Sequence, residues 1–382
     1  MEFRETVEEI RMEQASVSRL FGGEGTRVRD RRKTPKYMEN LVEAAKFVNQ
    51  VADGKRPIGH LQEAMSTSDF PTLFADVLDR QMLGAYREIE PVWQNYIRRS
   101  TVPDFRSVQR TAVDGAEGPL PEVDELEEYP EAQLEVAQDT YRVRKYGRRL
   151  DLSWETMVND DLDSFRRNPE RLARGARRTE QRLATQLYVD ATGPHGSVYT
   201  VGNGNIIPGN PEFSLEGLQA GIDHLVTFSD NDGEPIDISM IHLVTGPGLI
   251  VPVQNVLNAT EVEITSGSTM MRTTNWARNV VQHHVDQYIP RIATGAEGGA
   301  SWFLFADPND GRPFAELGFL RGYEDPALYE RVPNARAVGG GDVMESFEDD
   351  SIAWRVRHVV GGGHLLNTGG AKATVASDGS GS

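Results

Sequence analysis

Few of the residues that could do chemistry are spaced to do it. The chain has no cysteine, which excludes disulfides, thiolate metal sites and cysteine nucleophiles. His283 and His284 are adjacent, and adjacent residues of a strand point to opposite faces, so they are poorly placed to share a metal ion. The glycine-rich stretch 202–209 lacks the Gly-Lys-Ser/Thr ending of a phosphate-binding loop. We therefore predict that the protein is not an enzyme and has no catalytic residue, metal site or cofactor.

Charged residues form the most distinctive pattern. Nine carboxylates and no Lys or Arg lie between Glu117 and Asp139, whereas five basic residues and no acid lie between Arg142 and Arg149. Surfaces of opposite charge fix the register of contacts between associating molecules. We therefore predict that this part of the chain contacts another copy of the chain. The predicted contact residues are Glu122, Asp124, Glu125, Glu127, Glu128, Arg142, Arg144 and Lys145.

A second pattern is a stripe of arginines in a long helix predicted over residues 169–191. Its members are Arg171, Arg174, Arg178 and Arg182. At the rotation of an α-helix, this stripe is centred roughly 145° from the apolar stripe of the same helix. The helix is therefore expected to pack on one side and to present positive charge on another.

The N-terminal section is predicted to be an arm, with helices over residues 1–20 and 36–53. Between them lies a basic segment whose main members are Arg27, Arg29, Arg31, Arg32 and Lys33. The formal net charge of −18 argues against a surface covered in nucleic acid but permits one basic face. No apolar run approaches the ~20 residues of a membrane span, and the charged N-terminus does not resemble a signal peptide. No membrane partner is predicted.

Several elements must position these charges. The apolar pattern predicts a helix over residues 70–99, and a period of two from 106 to 153 predicts strands. The Gly- and Pro-rich segment 115–130 predicts the apex of a long, polar hairpin that has too few apolar residues for a core of its own. Asn168 and Pro169 are typical of a helix start and predict where the long helix begins.

The remaining chain mixes short elements. Gly193 is predicted to end the long helix, and a loop rich in Gly, Asn and Pro follows to residue 213. The predicted elements of the next segment are helices near 214–228 and 247–259 and strands around 239–245, 280–288 and 302–306. An alternating strand is predicted at 352–360. We expect Gly361–Gly363 to form a flexible turn and the last dozen residues a loose tail.

This order of elements resembles the major capsid protein of tailed double-stranded DNA bacteriophages. Three segments are similar to the Mu-type major head subunit group: Trp302–Pro308 (WFLFADP), Gly318–Gly322 (GFLRG) and Trp354–His358 (WRVRH). The resemblance covers roughly residues 70–366 of the chain.

The resemblance implies an α+β tailed-phage major capsid fold with an N-terminal arm, an extended β-hairpin loop, a peripheral domain with a long spine helix, and an axial domain. The expected ranges are 1–70 for the arm, 71–105, 153–213 and 336–366 for the peripheral domain, 106–152 for the hairpin loop, 214–335 for the axial domain, and 367–382 for a flexible tail.

The function implied is that of a structural major capsid protein, which self-assembles into an icosahedral shell enclosing double-stranded DNA. Its partners would be itself, as hexamers and pentamers, and packaged DNA bound without sequence preference. Portal, scaffolding and decoration proteins are further candidate partners. The protein would reside in the virion capsid after assembly in the host cytoplasm. The hairpin loop would lie over a neighbouring subunit, with Lys145 as its single lysine.

Three roles of the arginine stripe remain open: a lumen-facing surface near DNA phosphates, pairing with the acidic hairpin of a neighbour, or a solvated helix face. Two alternative functions also remain open. One is an encapsulin-like nanocompartment shell, which would hold an enzyme cargo instead of DNA. The other, more remote, is a hydrolase with an unrecognised site in residues 214–335.

Overall fold

The computed structural model describes residues 35–52, 55, 70–114, 122–123, 135–153, 168–230, 233–266, 269–295, 299–331 and 351–381. Among the predicted site residues, Asp124, Glu125, Glu127 and Glu128 of the hairpin lie outside these ranges, as do the five basic residues of the arm.

Helices and strands alternate irregularly along the described chain. The helices are α1 (Pro35–Ala52), α2 (Phe70–Glu88), α3 (Asn168–Thr185), α4 (Leu215–Val226), α5 (Ile250–Asn258) and α6 (Ile289–Ile292). The strands are β1 (Arg98–Val102), β2 (Val108–Asp114), β3 (Glu135–Tyr141), β4 (Arg144–Ser153), β5 (Val189–Asp190), β6 (Gly193–Pro194), β7 (Ile241–Thr245), β8 (Glu261–Ser266), β9 (Thr269–Thr274), β10 (Val281–Val285), β11 (Trp302–Ala306), β12 (Ala315–Leu320), β13 (Ala327–Glu330), β14 (Ser351–His364) and β15 (Thr374–Ser377). The prediction of a mixed α and β protein is confirmed.

The chain divides into two compact units, each built from three separate stretches. The first takes its described residues from the ranges Met1–Glu90, Lys145–Arg178 and Tyr323–Val359. The second takes them from Pro91–Arg144, Thr179–Gly322 and Val360–Ser382. Helix α3 and strands β4 and β14 therefore contribute residues to both units.

In the first unit, two helices pack on a strand. Met82 and Tyr86 of α2, Leu172 and Ala176 of α3, and Val356 of β14 belong to one buried apolar cluster. Helix α1 packs against α2. Strand β13 pairs antiparallel with β14, and β4 also pairs with β14. Helical spacing on α2 and α3 and alternation on β14 thus place their apolar side chains in one core.

The predicted helix over residues 70–99 is too long. Helix α2 ends at Glu88, a short 3₁₀-helix follows at Val92–Asn95, and β1 begins at Arg98. Pro91 explains the break, because proline lacks a backbone N–H and disfavours the α conformation at the preceding residue.

The predicted end of the long helix is also wrong. Helix α3 begins at Asn168 as expected but ends at Thr185, so its 18 residues span about 27 Å. The chain then turns so that Tyr188 is fully buried, and β5 and β6 form a short hairpin in place of the last helical turn. Tertiary packing of Tyr188 therefore overrides local helix propensity.

In the second unit, a four-stranded sheet has the order β10-β7-β11-β15. Strands β10 and β7 are parallel, whereas β11 runs antiparallel to both β7 and β15. Leu218 and Leu225 of α4 pack with Leu243, Trp302 and Leu304 in its core. The side chain of Ser214 caps α4 by accepting a hydrogen bond from the N–H of Gly217, which confirms that predicted helix.

The predicted loose tail is wrong. Thr374–Ser377 forms β15, all four of its residues are buried, and it pairs with β11 from Trp302 to Phe305. Composition misled the prediction, because small residues such as Ala373 and Ala376 suit close packing in a sheet as well as a flexible end.

The predicted turn at Gly361–Gly363 is wrong as well, since these glycines lie within β14, which pairs with β12. A Cβ atom on Gly361 would overlap the carbonyl oxygen of Arg142, and one on Gly363 would stand 2.5 Å from Cβ of Tyr141. Glycine is needed at Gly361 because the backbone of Arg142 and Val143 approaches the strand closely, and at Gly363 because the Tyr141 side chain does.

Strands β2 and β3 form a separate two-stranded antiparallel ladder, with Val108 opposite Tyr141 and Asp114 opposite Glu135. Strands β8 and β9 form another ladder, which the sequence pattern did not predict. None of the described helices is long and apolar enough to cross a membrane.

Candidate assembly surface

A buried carboxylate anchors the base of the β2–β3 hairpin. Glu316 lies on β12 and is 1% exposed. Arg98 of β1 donates to its Oε1 from Nε at 2.7 Å and also from Nη2, while Arg110 of β2 donates to Oε2 from Nε at 2.6 Å. The hydroxyl of Tyr141, at the end of β3, donates to the same Oε2 at 3.0 Å. Both limbs of the hairpin are therefore tied to one side chain.

The ionisation of Glu316 follows from these contacts. Burial alone would raise the pKa of Glu316, but hydrogen bonds and charges from Arg98 and Arg110 outweigh burial and lower it below its usual value. Burial raises the pKa of the Tyr141 hydroxyl. Tyr141 is therefore a stable donor, and Glu316 a stable acceptor, near neutral pH.

Asp139 provides a second anchor on the same limb. Its carboxylate accepts hydrogen bonds from Nδ2 of Asn367 at 3.0 Å and from the backbone N–H and hydroxyl of Thr368 at 2.9 and 3.0 Å. The last acid of the acidic stretch therefore serves its own fold and is not available to a neighbouring copy.

Beyond these anchors the hairpin is exposed. Within the described residues, β2 and β3 pair only with each other, and Val136 is 61% exposed. Glu122, the one predicted acidic contact residue that the structure describes, is also exposed. A thin ladder with an exposed apolar side chain is typical of a segment that packs on a partner.

The predicted basic contact residues are exposed but do not lie on the ladder. Arg142 follows β3, whereas Arg144 and Lys145 begin β4, which pairs with β14. Tyr141 and Val143 on either side of Arg142 are buried. Lys145 therefore lies on β4, beside β14, and its expected place in the hairpin loop is wrong.

All four arginines of the predicted stripe are exposed on α3. Nη2 of Arg174 donates to Oε2 of Glu170 at 3.1 Å, one turn earlier. Arg177 was not predicted. Its guanidinium lies 3.6 Å from the ring centroid of Tyr86, and its Nε donates to the carbonyl oxygen of Tyr86 at 3.0 Å. Helical phase places Arg177 outside the stripe of Arg171, Arg174, Arg178 and Arg182, but only the packing of α2 reveals that Tyr86 is its partner.

A second buried carboxylate, also missed by sequence reasoning, lies in the second unit. Asp286 is 1% exposed and follows β10. Its Oδ2 accepts hydrogen bonds from Gln181 Nε2 at 2.8 Å, from Thr185 Oγ1 at 2.5 Å and from the hydroxyl of Tyr188 at 2.6 Å. Burial, followed by the charge of Asp286, raises the pKa of Tyr188 well above its usual value. The group is a structural joint between α3 and β10.

The histidines of β7 and β10 also have structural roles. Nδ1 of His242 lies 3.0 Å from Nε2 of His284, and Nε2 of His283 lies 2.8 Å from Oγ1 of Thr245. His283 and His284 thus have different partners, as their adjacency predicts. Among the described residues, no group of three or more His, Asp or Glu side chains could hold a metal ion.

Comparison with known proteins covers most of the chain. Similar solved structures include a virus-like particle from Pyrococcus furiosus (11% identity, TM-score 0.43, covering 80% of this chain and 99% of that chain). Others are from Microbacterium phage Oxtober96 (12%, TM-score 0.45, 76% and 92%) and the SrpI encapsulin complex of Synechococcus elongatus PCC 7942 (10%, TM-score 0.43, 76% and 89%). No curated protein matches the chain.

The sequence model of a family described as phage capsid protein matches residues 137–373. The prediction of a capsid protein is therefore confirmed, while the narrower Mu-type group stays a prediction. The match covers most of the chain, including the anchors of the hairpin at Asp139 and Glu316 and the full length of α3. The chain belongs to the phage capsid protein family and is a structural component of a capsid shell.

Proposed function

We propose that copies of this chain assemble as hexamers and pentamers into an icosahedral shell that encloses double-stranded DNA, as part of a virion assembled in the host cytoplasm. The exposed β2–β3 hairpin carries this proposal. Its base is held by Glu316 and Asp139, so it is oriented before any partner binds. Preorganisation of this kind reduces the cost of ordering a contact segment on assembly.

The expected contacts are individually weak and numerous. An exposed ion pair contributes roughly 0.2–1 kcal/mol, and closed symmetry repeats each contact throughout the shell. Assembly is therefore expected to depend steeply on protein concentration and on salt, which screens exposed charges. The partition into peripheral and axial domains belongs to the same proposal.

DNA is the proposed content because of two basic features. The arm carries five closely spaced basic residues, and α3 exposes four arginines on one side. Arginine suits contact with phosphate because its planar guanidinium can donate two parallel hydrogen bonds. We assign the stripe first to DNA phosphates in the lumen and second to acidic residues of a neighbouring copy.

Electron microscopy of the expressed full chain tests the assembly directly, since it distinguishes closed shells from sheets, rings and monomers. The content of purified shells then separates two functions. Nuclease-protected DNA supports a virion shell, whereas an enzyme cargo without DNA supports a nanocompartment. A monomer that forms no shells at any concentration contradicts the proposal.

The double variant Arg174→Glu/Arg178→Glu tests the stripe. If the stripe faces DNA, shells form in normal yield but protect severalfold less DNA, because phosphate contacts become repulsive. If it faces a neighbour, the yield of shells falls instead. The matched control is Arg278→Glu/Arg291→Glu, which reverses two exposed arginines elsewhere. Unchanged yield and unchanged DNA content would leave the stripe a solvated face and contradict both assignments.

A further inference from the structure

The outer face of β14 in the first unit carries a row of alternating arginine and tyrosine side chains. Trp354, Val356 and His358 are buried, and Val356 packs in the cluster formed by α2 and α3. Because side chains alternate along a strand, Arg355 and Arg357 point to the opposite face. Arg355 is exposed and Arg357 is half-buried.

Two tyrosines hold these arginines in place. The guanidinium carbon of Arg355 lies 5.3 Å, and that of Arg357 4.5 Å, from the ring centroid of Tyr329, which is opposite Arg355 on β13. Arg357 also lies 5.1 Å from the ring of Tyr323 and donates from Nη2 to the hydroxyl of Tyr329. The order along the row is therefore Arg355, Tyr329, Arg357, Tyr323, and Tyr323 is 51% exposed.

Neither guanidinium is neutralised within the described part of the chain, where no carboxylate lies within salt-bridge distance of Arg355 or Arg357. Stacking on a ring fixes the plane of a guanidinium while leaving most of its N–H donors at its edge. The row is thus two fixed positive groups with open donors, a suitable surface for paired carboxylates or phosphates.

We propose that this row binds the acidic segment 117–134 of a second copy of the chain. The proposal rests on the proposed shell function and identifies the surface that receives the hairpin. Charge complementarity supports it: the segment carries seven of the nine carboxylates found between Glu117 and Asp139, since Glu135 and Asp139 lie on β3. Those seven carboxylates have no basic residue among them.

Spacing also favours this partner. Arg355 and Arg357 are two residues apart on one strand, so their side chains start about 6.6 Å from each other. Two pairs in the acidic segment have the same separation in sequence, Glu122 with Asp124 and Glu125 with Glu127. An extended segment running along the row would therefore present one carboxylate to each guanidinium.

Charge exchange tests the proposal on the full chain. The first variant is Arg355→Glu/Arg357→Glu, and the second replaces Glu122, Asp124, Glu125 and Glu127 with lysine. Each is expected to raise the threshold concentration for shell assembly at least about tenfold, because attraction becomes repulsion at every copy of the contact. Their combination should return the threshold to within about threefold of the wild type. The control Arg278→Glu/Arg291→Glu should stay within about twofold.

The outcomes are separable. A wild-type chain that forms no shells contradicts the proposed function, and this proposal with it. Shells that form normally with Arg355→Glu/Arg357→Glu overturn this proposal alone. If shells of Arg355→Glu/Arg357→Glu form in normal yield but protect less DNA, the row binds packaged DNA instead. This result also overturns the proposal. If the first variant lowers the melting temperature of the unassembled chain and the combination restores it, the segment docks on its own copy, again overturning it.

A more conservative double substitution tests the same contact with less risk of misfolding. Arg355→Lys/Arg357→Lys keeps both charges but loses the planar fork and the stacked geometry. It should raise the assembly threshold by less than the glutamate variant but measurably, about two- to fivefold, with an unchanged melting temperature. The lysine variant of the acidic segment reports on the same contact without altering the row at all.

Discussion

At the scale of single residues, the molecule depends on buried carboxylates. Glu316 is surrounded by Arg98, Arg110 and Tyr141, whereas Asp286 accepts only from uncharged groups of Gln181, Thr185 and Tyr residues. A buried charge is tolerated when its hydrogen bonds are satisfied, and removal of one partner is more damaging than replacement of the whole group.

Glu316→Gln tests the hairpin anchor. The change keeps the shape of the side chain but leaves two half-buried arginines without their anion, so the unassembled chain should lose about 2–4 kcal/mol of unfolding free energy. Urea unfolding followed by circular dichroism measures this. Glu212→Gln, at an exposed position, is the matched control and should change it by less than about 0.5 kcal/mol. Equal effects of the two substitutions would contradict the anchoring role.

Neither buried carboxylate was predicted from the sequence, although the sequence around one of them indicates that it is buried. Glu316 is a lone acid in the apolar strand Ala315–Leu320, and an acid inside such a run indicates a buried, paired charge. The sequence around Asp286 gives no such indication, because an Asp directly after a strand is typical of an ordinary turn. The backbone N–H of Tyr288 is a local donor to Asp286, but its side-chain donors lie about 100 and 190 positions away in the chain, and no local pattern relates them to it.

At the scale of elements, β14 shows how close packing restricts sequence. Its C-terminal part pairs with β12, while the backbone of Arg142 and Val143 lies against Gly361 and the side chain of Tyr141 lies against Gly363. No side chain fits on that surface. The sequence of β14 is therefore restricted in two ways. These positions must be glycine, and residues before them must be apolar.

Gly361→Ala should consequently destabilise the second unit. The added methyl group meets the backbone carbonyl of Arg142, which cannot move without shifting the end of β3, so we expect a loss of at least about 3 kcal/mol. Thermal unfolding gives the comparison. The control is Gly299→Ala, where an added Cβ meets nothing within 4 Å. A tolerated Gly361→Ala would show that the crossing segment is free to move.

Elements set by local sequence were predicted best. Helix α3 begins at the predicted Asn168–Pro169, a helix forms as predicted near 214–228, and Trp302–Ala306 is a strand with the predicted bounds. Helix α3 ends where Tyr188 turns into the core, and β15 forms because β11 offers an edge. Both outcomes depend on distant residues, so composition and periodicity could not give them.

At the scale of the whole molecule, buried histidines make stability depend on pH. Burial, with neighbouring histidines, lowers the pKa of His284 and of His364 to about 4. In the unfolded chain these groups bind protons near their ordinary pKa of about 6.5. The unfolded state therefore gains protons before the folded state does, and stability falls as the pH decreases from 6.5 towards 4.

Between pH 6.5 and 5 we expect each of these histidines to reduce the unfolding free energy by about 1–2 kcal/mol. Glu316 stays ionised in this window, because its lowered pKa lies below the usual 4.5. Urea unfolding of the unassembled chain at several pH values measures the slope. His284→Gln should flatten the slope only in part, because burial also lowers the pKa of His242 and of His283, which contribute with His364. An equally steep slope in that variant would mean that other groups carry the pH dependence.

The pairing of β15 with β11 also governs when the second unit can finish folding. One edge of Trp302–Ala306 is covered by β7, which is translated earlier, but the other edge stays open until Ser377 has been translated. An open apolar strand edge on a nascent chain invites aggregation. A chain whose translation stops before Thr374 therefore keeps a permanently open edge on β11. Only a completely translated chain can cover this edge, so folding of the second unit excludes truncated copies before assembly begins.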